Sequence, residues 1–554
     1  MSKIIDFKAR IGSVTASDGS VLPFSDDDVV IVVGPNNAGK SQFLRDIEEH
    51  FSNSPANKHN GRVVSRISIR CDNIGNFEKA IERYADGNSN YVSYDVGVHS
   101  NALIGVKSDK GEVLLGRFAP FFVKRVSADA RLSITDPSPA LGPERARTPA
   151  QILFDNQLLL SAVSSVFRKA FGKDLFLDYR CGGQIPIYVG ERPLLPPGCD
   201  RVSDEYVSLV RACDKLHEQG DGMKSFGGIL LSTLVVKYNV TLIDEPEAFL
   251  HPPQERIIGK LIAENADGQI ICATHSRDVL QGFLESDRKD IRVIRIKRDG
   301  GVNTIHEINA SEVRELWNDP VFRYSTALDG LFHDRVVLCE ADPDCKFYEA
   351  IESSLDSARV IDSHFVPCGG KAAYPKFIRA MAKLDIPVLC ILDLDVLNDE
   401  DMIRRIYEAQ GGVWSDVSTL WRRVDAAVRK GVPVSDRDQT KGRIVSILDK
   451  WISGAPPSSD IVECLKQTKP WAAVKAQGIG AVPAGDASKA LDELLANLAA
   501  RSIFAVPVGT LENFVKSVGN HGIKWLNGVF AEYELNSDKL AEARSFVRSA
   551  LRND

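Results

Sequence analysis

The sequence predicts an α/β protein with more than one domain. Its 554 residues exceed what one hydrophobic core usually serves, which indicates two to four domains. Short apolar runs that end in polar residues recur along the chain, as is typical of buried parallel strands with a ligand site at their carboxyl ends. These runs are Val29–Val33, 240–243 and Gln269–Ala273 in the first half, and Arg335–Cys339 and Val388–Leu392 in the second.

Composition narrows the class of protein. Hydrophobic residues make up 44% and charged residues 26%, ordinary globular values that exclude collagen-like, coiled-coil-only and disordered chains. The formal charge of -7 gives no global positive field, so any nucleic-acid binding needs a local basic patch. The ten cysteines form no CxxC pair, and no apolar segment reads as a signal peptide or a membrane span. We therefore expect a cytoplasmic protein that does not contact membranes.

The order of predicted elements places a domain boundary near residue 330, which gives domains at 1–330 and 331–554. The second alternation of strands and helices begins there, after a polar connection around 298–302. A mostly helical stretch at about 400–500 is followed by one more strand at 503–508, which predicts a helical insertion within the second sheet. In the first domain, 92–98 reads as a strand and 151–170 as a helix.

Residues 34–41 read Gly-Pro-Asn-Asn-Ala-Gly-Lys-Ser and fit the phosphate-loop pattern GxxxxGK[ST]. The pattern lies after a predicted buried strand and before a helix that starts just after Lys40, the context that it requires. Backbone N–H groups of such a loop surround phosphate oxygens, while Lys40 reaches the outer phosphates and Ser41 ligates Mg²⁺. The predicted nucleotide contacts are Gly34, Asn36, Asn37, Gly39, Lys40, Ser41 and Gln42.

The next two strands end in residues that an ATPase needs. Asp244 would hold Mg²⁺ through water, and Glu245 would orient and deprotonate the attacking water. His275 follows the third strand, where it could contact the γ-phosphate. A polar strand cap and a structural histidine are the alternatives for these residues.

From Gly34 to about Ser276 the arrangement resembles the ABC-type ATPases of DNA repair and chromosome maintenance. The resemblance implies that ATP lies between two copies of the chain, hence a homodimer or higher oligomer through the ATPase domain. Residues 221–225, Asp-Gly-Met-Lys-Ser, resemble the signature loop that completes the site of the partner subunit. Gly222 and Ser225 are therefore predicted nucleotide contacts, with a surface turn before a helix as the alternative.

Acidic residues follow two strands of the second half. Glu340 ends one strand, and Asp393 and Asp395 end another. The carboxyl ends of parallel strands meet at one sheet edge, and clustered carboxylates there suit Mg²⁺ or Mn²⁺ in phosphoryl-transfer chemistry. Solvated strand caps are the alternative.

The order of these acids resembles the Toprim domain of topoisomerases, primases and nucleases. Glu340 and Asp344 are followed by Gly369-Gly370-Lys371 and then by the pair Asp393 and Asp395. The resemblance implies that these four acids bind divalent metal and that Glu512 returns to the same centre. Ala341 stands where the family usually has glycine. A catalytic lysine is not singled out among the candidates, which are Lys371, Lys516 and Lys524.

An ABC-type ATPase domain followed by a Toprim domain with a mostly helical insertion resembles the OLD (overcoming lysogenization defect) family, which includes the nuclease of the Gabija anti-phage system. The resemblance implies an ATP-binding and ATP-hydrolysing DNA endonuclease that uses Mg²⁺ or Mn²⁺. It also implies a role in bacterial anti-phage defence or DNA processing, with a defence-system partner protein. Two alternatives stay open: an ATPase-gated Toprim effector that cuts RNA or tRNA, and a non-nucleolytic ATP-switched DNA-binding clamp.

Basic residues outnumber acids between residues 401 and 450, with Trp414 and Trp421 among them. Such a patch beside a metal site predicts contacts with nucleic-acid phosphates, and an ordinary solvated helix face is the alternative. The basic residues are Arg404, Arg405, Arg422, Arg423, Arg429, Lys430, Arg437, Lys441, Arg443 and Lys450.

Overall fold

The computed structural model divides into two compact units, Met1–Glu315 and Leu316–Asp554, which we describe separately. Most of the chain is described. The described residues are 7–52, 62–71, 76–85, 90–92, 96–105, 107–109, 112–141, 146–265, 267–355, 361–431, 437–452, 456–466 and 469–551. None of the helices in these ranges is both long and apolar enough to span a membrane.

In its described residues the first unit has eighteen strands and nine complete α-helices, and a tenth helix begins in this unit and ends in the second. The strands are β1 (Ala9–Ala16), β2 (Val21–Pro23), β3 (Val29–Val33), β4 (Val64–Cys71), β5 (Asn90–Val92), β6 (Gly97–His99), β7 (Lys107–Asp109), β8 (Glu112–Leu114), β9 (Val123–Val126), β10 (Ser138–Pro139), β11 (Asp174–Leu177), β12 (Gln184–Ile185), β13 (Ile187–Gly190), β14 (Asp214–Lys215), β15 (Val240–Asp244), β16 (Gln269–Ala273), β17 (Ile291–Asp299) and β18 (Val302–Ile308). The helices are α1 (Lys40–Ser52), α2 (Phe77–Ile81), α3 (Ala128–Ser133), α4 (Pro149–Asp155), α5 (Gln157–Phe171), α6 (Asp204–Arg211), α7 (Asp221–Leu230), α8 (Pro252–Glu264), α9 (Arg277–Leu284) and α10 (Ala310–Asn318).

A six-stranded sheet organises the first unit, in the order β18-β17-β3-β16-β15-β9. All neighbours are parallel except the edge pair β17 and β18. Every residue of β3 is buried, as the unbroken β-branched run predicts. Because β3, β16 and β15 are adjacent and parallel, the loops that follow them meet at one edge of the sheet. The structure confirms the predicted α/β class.

Three local predictions for the first unit need correction. The supposed polar connection at 298–302 is the turn of the hairpin between β17 and β18, which extends the central sheet. The helix predicted at 151–170 is two helices, because Asn156 leaves helical geometry and its side chain caps α5. The strand predicted at 92–98 is divided between β5 and β6, which pair with each other, and 93–95 lie outside the described residues.

The second unit is built on four strands: β19 (Arg335–Cys339), β20 (Ser363–Pro367), β21 (Val388–Leu392) and β22 (Ile503–Ala505). Its helices are α11 (Pro320–Arg323), α12 (Asp342–Ser353), α13 (Tyr374–Lys383), α14 (Glu400–Ala409), α15 (Ser415–Gly431), α16 (Arg437–Lys450), α17 (Ser458–Lys466), α18 (Pro470–Gln477), α19 (Asp486–Ala499), α20 (Ile523–Glu532) and α21 (Ala541–Leu551).

The four strands form one parallel sheet in the order β20-β19-β21-β22. Helices α14 to α19 lie between β21 and β22 in sequence, which confirms the mostly helical insertion. The last strand is shorter than the predicted 503–508. An aromatic core that includes Phe347, Phe514 and Trp525 fixes the helices that follow β19 and β22.

Candidate functional site

The phosphate loop follows the carboxyl end of β3. Gly34 has a φ of 147°, and a Cβ there would lie 2.3 Å from the carbonyl oxygen of Ile296, so only glycine fits. Lys40 Nζ donates hydrogen bonds to the carbonyls of Gly34 (2.6 Å) and Pro35 (2.7 Å). Burial lowers the pKa of Lys40 to about 7, so a phosphate beside the ammonium would favour its charged form.

The loop borders a cavity of about 560 Å³, a volume that suits a small-molecule ligand. Most of the predicted nucleotide contacts line it, although the amide of Gln42 donates to Asp46 within α1 (2.6 Å). The lining residues are Asn36, Asn37, Gly39, Lys40, Ser41, Gln42, Arg45, Val63, Glu245, His275, Arg298 and Asn303. Four of them, Arg45, Val63, Arg298 and Asn303, were not predicted from the sequence.

The predicted magnesium ligands of the first unit lie in contact. Ser41 Oγ donates a hydrogen bond to Asp244 Oδ1 (2.9 Å), which joins the start of α1 to the end of β15. Arg125 Nη1, on the neighbouring strand β9, lies 3.8 Å from Asp244 Oδ2. A hydroxyl and a carboxylate at the mouth of a phosphate loop are hard oxygen donors, which suit Mg²⁺.

Glu245 is held in an unusual backbone conformation by a buried arginine. Its φ is 47°, which is uncommon outside glycine. The side chain of Arg131 is fully buried and donates to the carbonyls of Asp244 (2.9 Å) and Glu245 (2.6 Å). The same guanidinium donates to Ser225 Oγ (2.7 Å). Sequence analysis missed Arg131, whose only sequence signal is its place after the buried strand β9.

Glu247 fixes the segment that carries His275. Its carboxylate accepts hydrogen bonds from Thr274 Oγ1 (2.8 Å) and from the backbone N–H of His275 (2.6 Å). Burial raises the pKa of Glu247 to about 7. Burial, followed by the charge of Lys40, lowers the pKa of His275 to about 4. His275 is therefore neutral near pH 7 and can offer a phosphate a hydrogen bond but no charge.

The hairpin of β17 and β18 braces the phosphate loop through Asn303. This residue is 1% exposed, and its Nδ2 donates to the carbonyl of Ala38 (2.6 Å). Its backbone N–H donates to Ser17 Oγ (2.8 Å), so β1 is joined to the same point. No sequence pattern identifies such a brace, because the hairpin lies more than 250 residues from the loop in sequence.

Asn303→Ala is expected to weaken ATP binding roughly fivefold to 150-fold, because the Ala38 carbonyl would lose its buried donor at a cost of about 1–3 kcal/mol. Titration of a fluorescent ATP analogue would measure the change. Thr304→Ala, on the next residue of β18, is the matched control and should bind as wild type does. Equal affinity of the two variants for the ATP analogue would show that the hydrogen bond from Asn303 to Ala38 does not stabilise the phosphate loop.

The two predicted signature residues differ in accessibility. Gly222, in the first turn of α7, is partly exposed and packs against the loop after β15, where a Cβ would lie 2.8 Å from the carbonyl oxygen of Phe249. Ser225 is fully buried, and its hydroxyl donates to the carbonyl of Ala248 (3.0 Å). The hydroxyl of Ser225 is thus used inside its own subunit, and its contact with a nucleotide stays a prediction. The role of Gly222 stays a prediction.

The acidic residues of the second unit meet at the carboxyl edge of the four-stranded sheet. Glu340 follows β19, while Asp393 and Asp395 follow the adjacent parallel strand β21. Lys371, after β20, contacts Asp395 Oδ1 and lies 4.0 Å from Glu340 Oε2. The structure therefore brings the three predicted acids and one candidate lysine together.

A second lysine at this centre was not predicted. Lys475, on α18 of the helical insertion, places Nζ 2.9 Å from Asp395 Oδ2 and 3.4 Å from Asp393 Oδ2. The candidates Lys516 and Lys524 are exposed, and Lys516 donates instead to the carbonyl of Ala476 (3.1 Å). Lys475 could not be found from the sequence because it follows Asp395 by 80 residues and lies outside any motif.

Asp344 and Glu512 lie at the border of this centre. Asp344 Oδ2 accepts a hydrogen bond from the N–H of Ala341 (2.8 Å) at the start of α12. Burial raises the pKa of Asp344 to about 6, and the charges of Glu340 and Glu512 add to the shift. Glu512 Oε1 accepts a hydrogen bond from the N–H of Gly522 (3.1 Å). Asp344 thus interacts electrostatically with Glu340 and with Glu512, and both Asp344 and Glu512 bond to backbone groups.

The two acids of the DxD pair differ in protonation. Burial raises the pKa of Asp393 to about 7. Burial acts on Asp395 as well, but Lys371 and Lys475 outweigh it and hold the pKa of that carboxyl below its usual range. Burial alone would lower the pKa of Lys475, but Asp395 and Asp393 raise it to about 12. Asp395 is thus ionised and paired with ammonium groups, whereas Asp393 is protonated in about half of the molecules near pH 7.

The carboxylate oxygens of the cluster are ligands of the kind that a hard divalent cation prefers. Glu340 Oε2 is buried and has no hydrogen-bond partner among the described residues, which leaves one oxygen ligand unused. Among the described residues, no group of three acidic, histidine or cysteine side chains lies close enough together to hold one ion. The ammonium groups of Lys371 and Lys475 lie between the carboxylates instead. Carboxylate oxygens suit Mg²⁺ or Mn²⁺, and these lysines would have to withdraw from Asp395 to admit it.

Metal binding at this cluster is expected to depend on pH. Mn²⁺ affinity should rise about tenfold per pH unit up to pH 7, because binding displaces the proton held by Asp393, whose pKa is about 7. The raised pKa also means that the metal-free native state binds this proton more tightly than the unfolded chain does. Its free energy of unfolding should therefore fall as the pH rises from the usual 3.8 toward 7. Mn²⁺ titration by electron paramagnetic resonance and urea unfolding at several pH values would measure both trends.

Asp393→Asn is the control for this prediction, since it removes the titrating group. In this variant the Mn²⁺ affinity should lose its steep rise toward pH 7, and the free energy of unfolding should lose the decrease that Asp393 contributes. Wild-type affinity that is flat between pH 5.5 and 8 would contradict the assignment.

The tryptophans of the basic stretch do not form a stacking surface. Trp414 and Trp421 are buried, and their indole N–H groups donate to Glu400 (3.2 Å) and to the carbonyl of Leu397 (2.8 Å). The interleaved aromatic residues therefore belong to the core of the insertion. Several of the basic side chains, including Arg422 and Arg423, are exposed, so the predicted phosphate contacts stay a prediction.

Two family models match this chain. Residues 215–280 match an AAA domain described as a putative AbiEii toxin of a type IV toxin–antitoxin system. Residues 331–395 match the Toprim domain of overcoming lysogenization defect protein-like sequences. The first match ends shortly after His275 and contains Asp244 and Glu245, and the second contains Glu340, Asp393 and Asp395. An ATPase-type domain and an OLD-type Toprim domain are thus present in one chain.

Two related proteins cover parts of the chain. The OLD nuclease of Thermus scotoductus is 28% identical over an alignment of 267 residues. The alignment covers 42% of this chain and 49% of that protein. An uncharacterized protein of Methanocaldococcus jannaschii is 35% identical over 104 residues, which are 18% of this chain and 90% of that protein. The match to the OLD nuclease thus spans about half the length of that relative.

Solved structures of Smc heads also align. The Smc head bound to the C-terminal winged-helix domain of ScpA has a TM-score of 0.34 at 15% identity, with 55% of this chain and 99% of that chain covered. The SMC head domain of Thermotoga maritima has a TM-score of 0.30 at 16% identity, with 55% of this chain and 98% of that chain covered.

Proposed function

We propose, from the premise that this chain is an OLD-family protein with an ATPase domain and a Toprim domain, that it is an ATP-hydrolysing, divalent-metal-dependent DNA endonuclease. The ATPase domain would occupy about 1–330 and the Toprim domain 331–554. The observation that supports the nuclease most directly is the meeting of Glu340, Asp393 and Asp395 at one sheet edge, where Glu340 Oε2 accepts no hydrogen bond from any residue that the structure describes. A role in bacterial anti-phage defence or DNA processing belongs to this proposal and depends on the OLD resemblance.

In the ATPase domain, the N–H groups of the phosphate loop and Lys40 bind the phosphates of ATP. Ser41 and Asp244, already 2.9 Å apart, would hold Mg²⁺, which neutralises charge on the β- and γ-phosphates. Glu245 orients the attacking water and accepts its proton, and Arg131 fixes the backbone from which Glu245 extends. His275, held by Glu247, donates a hydrogen bond to the outer phosphate.

In the Toprim domain, Glu340, Asp393 and Asp395 would hold Mg²⁺ or Mn²⁺, with Asp344 and Glu512 beside them. The ion would supply Lewis-acid stabilisation of the oxygens at the reacting phosphorus. Lys371 and Lys475, once released from Asp395, place their ammonium groups where they can neutralise a phosphodiester oxygen. Binding of the metal and of the nucleic-acid phosphate are therefore coupled through the same two lysines.

The partners we propose are DNA and a second copy of this chain. Gly222, at the start of α7, and the loop after Glu245 form one contiguous surface, since Gly222 packs on Phe249. Phe249 is half-exposed and has a φ of 71°, which is uncommon for a bulky residue. An exposed aromatic residue on a loop held in that conformation supports a role in dimer contact, with ATP between the subunits.

The test is conversion of supercoiled plasmid to nicked or linear forms with Mg²⁺ or Mn²⁺, with and without ATP. Parallel reactions would contain single-stranded RNA and tRNA, together with a measurement of phosphate release from ATP. Metal-dependent plasmid cleavage supports the proposal. Cleavage of RNA alone favours the RNA effector, and ATP hydrolysis without cleavage of either substrate favours the clamp.

Lys475→Met is expected to slow cleavage roughly a hundredfold or more while Mn²⁺ binding stays as tight as in the wild type or tightens. The ammonium competes with the metal for Asp395 but stabilises charge in the reaction, where one such interaction is worth about 3–4 kcal/mol. Plasmid cleavage and Mn²⁺ titration would separate the two effects. Lys516→Met is the matched control and should leave both unchanged, and weaker Mn²⁺ binding by Lys475→Met would contradict this role.

A further inference from the structure

A second cavity lies in the first unit, with a volume of about 510 Å³. It opens between α5, the start of β11 and the loop that follows β13, and it shares no lining residue with the phosphate-loop cavity. Its polar lining includes Ser161 and Ser165 of α5. The cavity is nearly as large as the predicted ATP site, and the mechanism proposed above does not use it.

The charges that line this cavity are mainly positive. Arg168, Arg192 and Arg201 line it together with one acid, Asp174. Asp174 is already paired with Arg168, and it accepts a further hydrogen bond from Ser164 Oγ (3.1 Å). Arg192 and Arg201 form no ion pair among the residues that the structure describes, so the lining carries two uncompensated positive charges.

The guanidinium of Arg192 has one donor that is bonded and another that has no acceptor among the described residues. Its Nη2 donates to the carbonyl of Leu175 (3.0 Å), which fixes the side chain against β11. Its Nε is buried and has no hydrogen-bond partner in the described part of the chain. A buried cationic donor without an acceptor is costly, and the part of this guanidinium that lines the cavity can offer its charge to an anion there.

The lining of the cavity combines polar and apolar groups. Ser161, Ser165 and Arg168 follow one another at helical spacing on one face of α5, where hydroxyls and a guanidinium are presented together. The loop that follows β13 contributes Leu194 and Leu195, which are 88% and 46% exposed, besides Arg192 and Arg201. The cavity therefore offers both cationic and apolar groups to a single small ligand.

We propose that this cavity binds an organic phosphate, namely a phosphomonoester that carries an apolar or planar group. A phosphomonoester has a charge of about -1.5 to -2 at pH 7, which matches the two unpaired guanidinium groups. Its organic part would cover the exposed leucines. Its lining residues belong neither to the phosphate-loop cavity nor to the acidic cluster, and the proposal does not depend on either activity.

Calorimetric titration of the full-length protein with phenyl phosphate tests the proposal, with inorganic phosphate and phenol as the two partial ligands. The variants are Arg192→Gln, which removes a charge, and Leu194→Asp, which adds a negative charge at an exposed position that does not support the fold. Leu158→Asp is the control, because Leu158 is 86% exposed on the same helix α5 but does not line the cavity.

The wild type should bind phenyl phosphate more tightly than either partial ligand. Each cavity variant should weaken that binding at least about tenfold, while Leu158→Asp should not change it. Binding at the phosphate loop is the same in all four proteins and cannot produce this difference. No binding by the wild type, or equal binding by all four proteins, would overturn the assignment. If inorganic phosphate binds as tightly as phenyl phosphate, Leu194 and Leu195 do not contact the ligand, and the assignment of an organic phosphate is wrong. If Arg192→Gln does not fold, Leu194→Asp decides.

Discussion

Replacement of Glu340 by glutamine is expected to reduce metal-dependent plasmid cleavage by roughly a thousandfold or more. The buried oxygen Glu340 Oε2 accepts no hydrogen bond from the described residues, so it can bind a metal, whereas an amide offers one neutral oxygen and no charge. Metal ions stabilise phosphoryl transfer by several kcal/mol, which accounts for the size of the loss. Initial rates on supercoiled plasmid with Mg²⁺ or Mn²⁺ measure it.

The matched control for this prediction is Asp342→Asn. Asp342 is two residues away, but it is exposed and pairs with Lys346 on the surface of α12 (2.7 Å). This variant should cut as the wild type does, and both variants should hydrolyse ATP at the wild-type rate. Loss of cleavage in Asp342→Asn as well would point to a disturbed α12 rather than to metal binding.

Replacement of Glu245 by glutamine is expected to lower the rate of ATP hydrolysis about 10²- to 10⁴-fold, the usual contribution of a general base. ATP binding should change little, because the phosphate loop and the pair of Ser41 and Asp244 remain intact. Phosphate release and equilibrium binding of a fluorescent ATP analogue would measure the two quantities separately.

Glu264→Gln is the control for this second prediction, since Glu264 lies at the end of α8 and interacts with Lys260 on the helix surface (3.6 Å). It should hydrolyse ATP at the wild-type rate. A Glu245→Gln variant that retains more than about a tenth of the activity would exclude Glu245 as the general base. Plasmid cleavage by the same variant, with ATP present, would then show whether hydrolysis or binding alone governs the nuclease.

Local sequence patterns were sufficient to predict the strands that bear the sites. Runs such as Val29–Val33 and Val388–Leu392 are buried on both sides, so their apolar composition is nearly continuous and their polar ends are easily seen. The convergence of Glu340 with Asp393 follows from parallel neighbours in one sheet. Strand order could not be predicted, because the contacts between β3 and β16 join segments more than 200 residues apart.

The missed residues share one physical cause. Lys475, Arg131 and Asn303 reach their sites from elements that are distant in sequence, and each is identified only by its partners in space. The burial of Ser225 was missed for a related reason, since the sequence pattern around this serine is the same whether its side chain faces solvent or the core. Such questions are settled by tertiary packing, which a motif does not encode.

Arg131 has a consequence for how this ATPase can move. One planar guanidinium bonds to Ser225 of α7, to the end of β15 and to the carbonyl of Glu245. If α7 moves relative to the end of β15, either these hydrogen bonds break or the two segments move together. A lysine could not replace this linkage, because an ammonium lacks the flat fork of donors that spans both segments. We therefore expect β15, which precedes Glu245, and α7, which contains Gly222, to move as one rigid body.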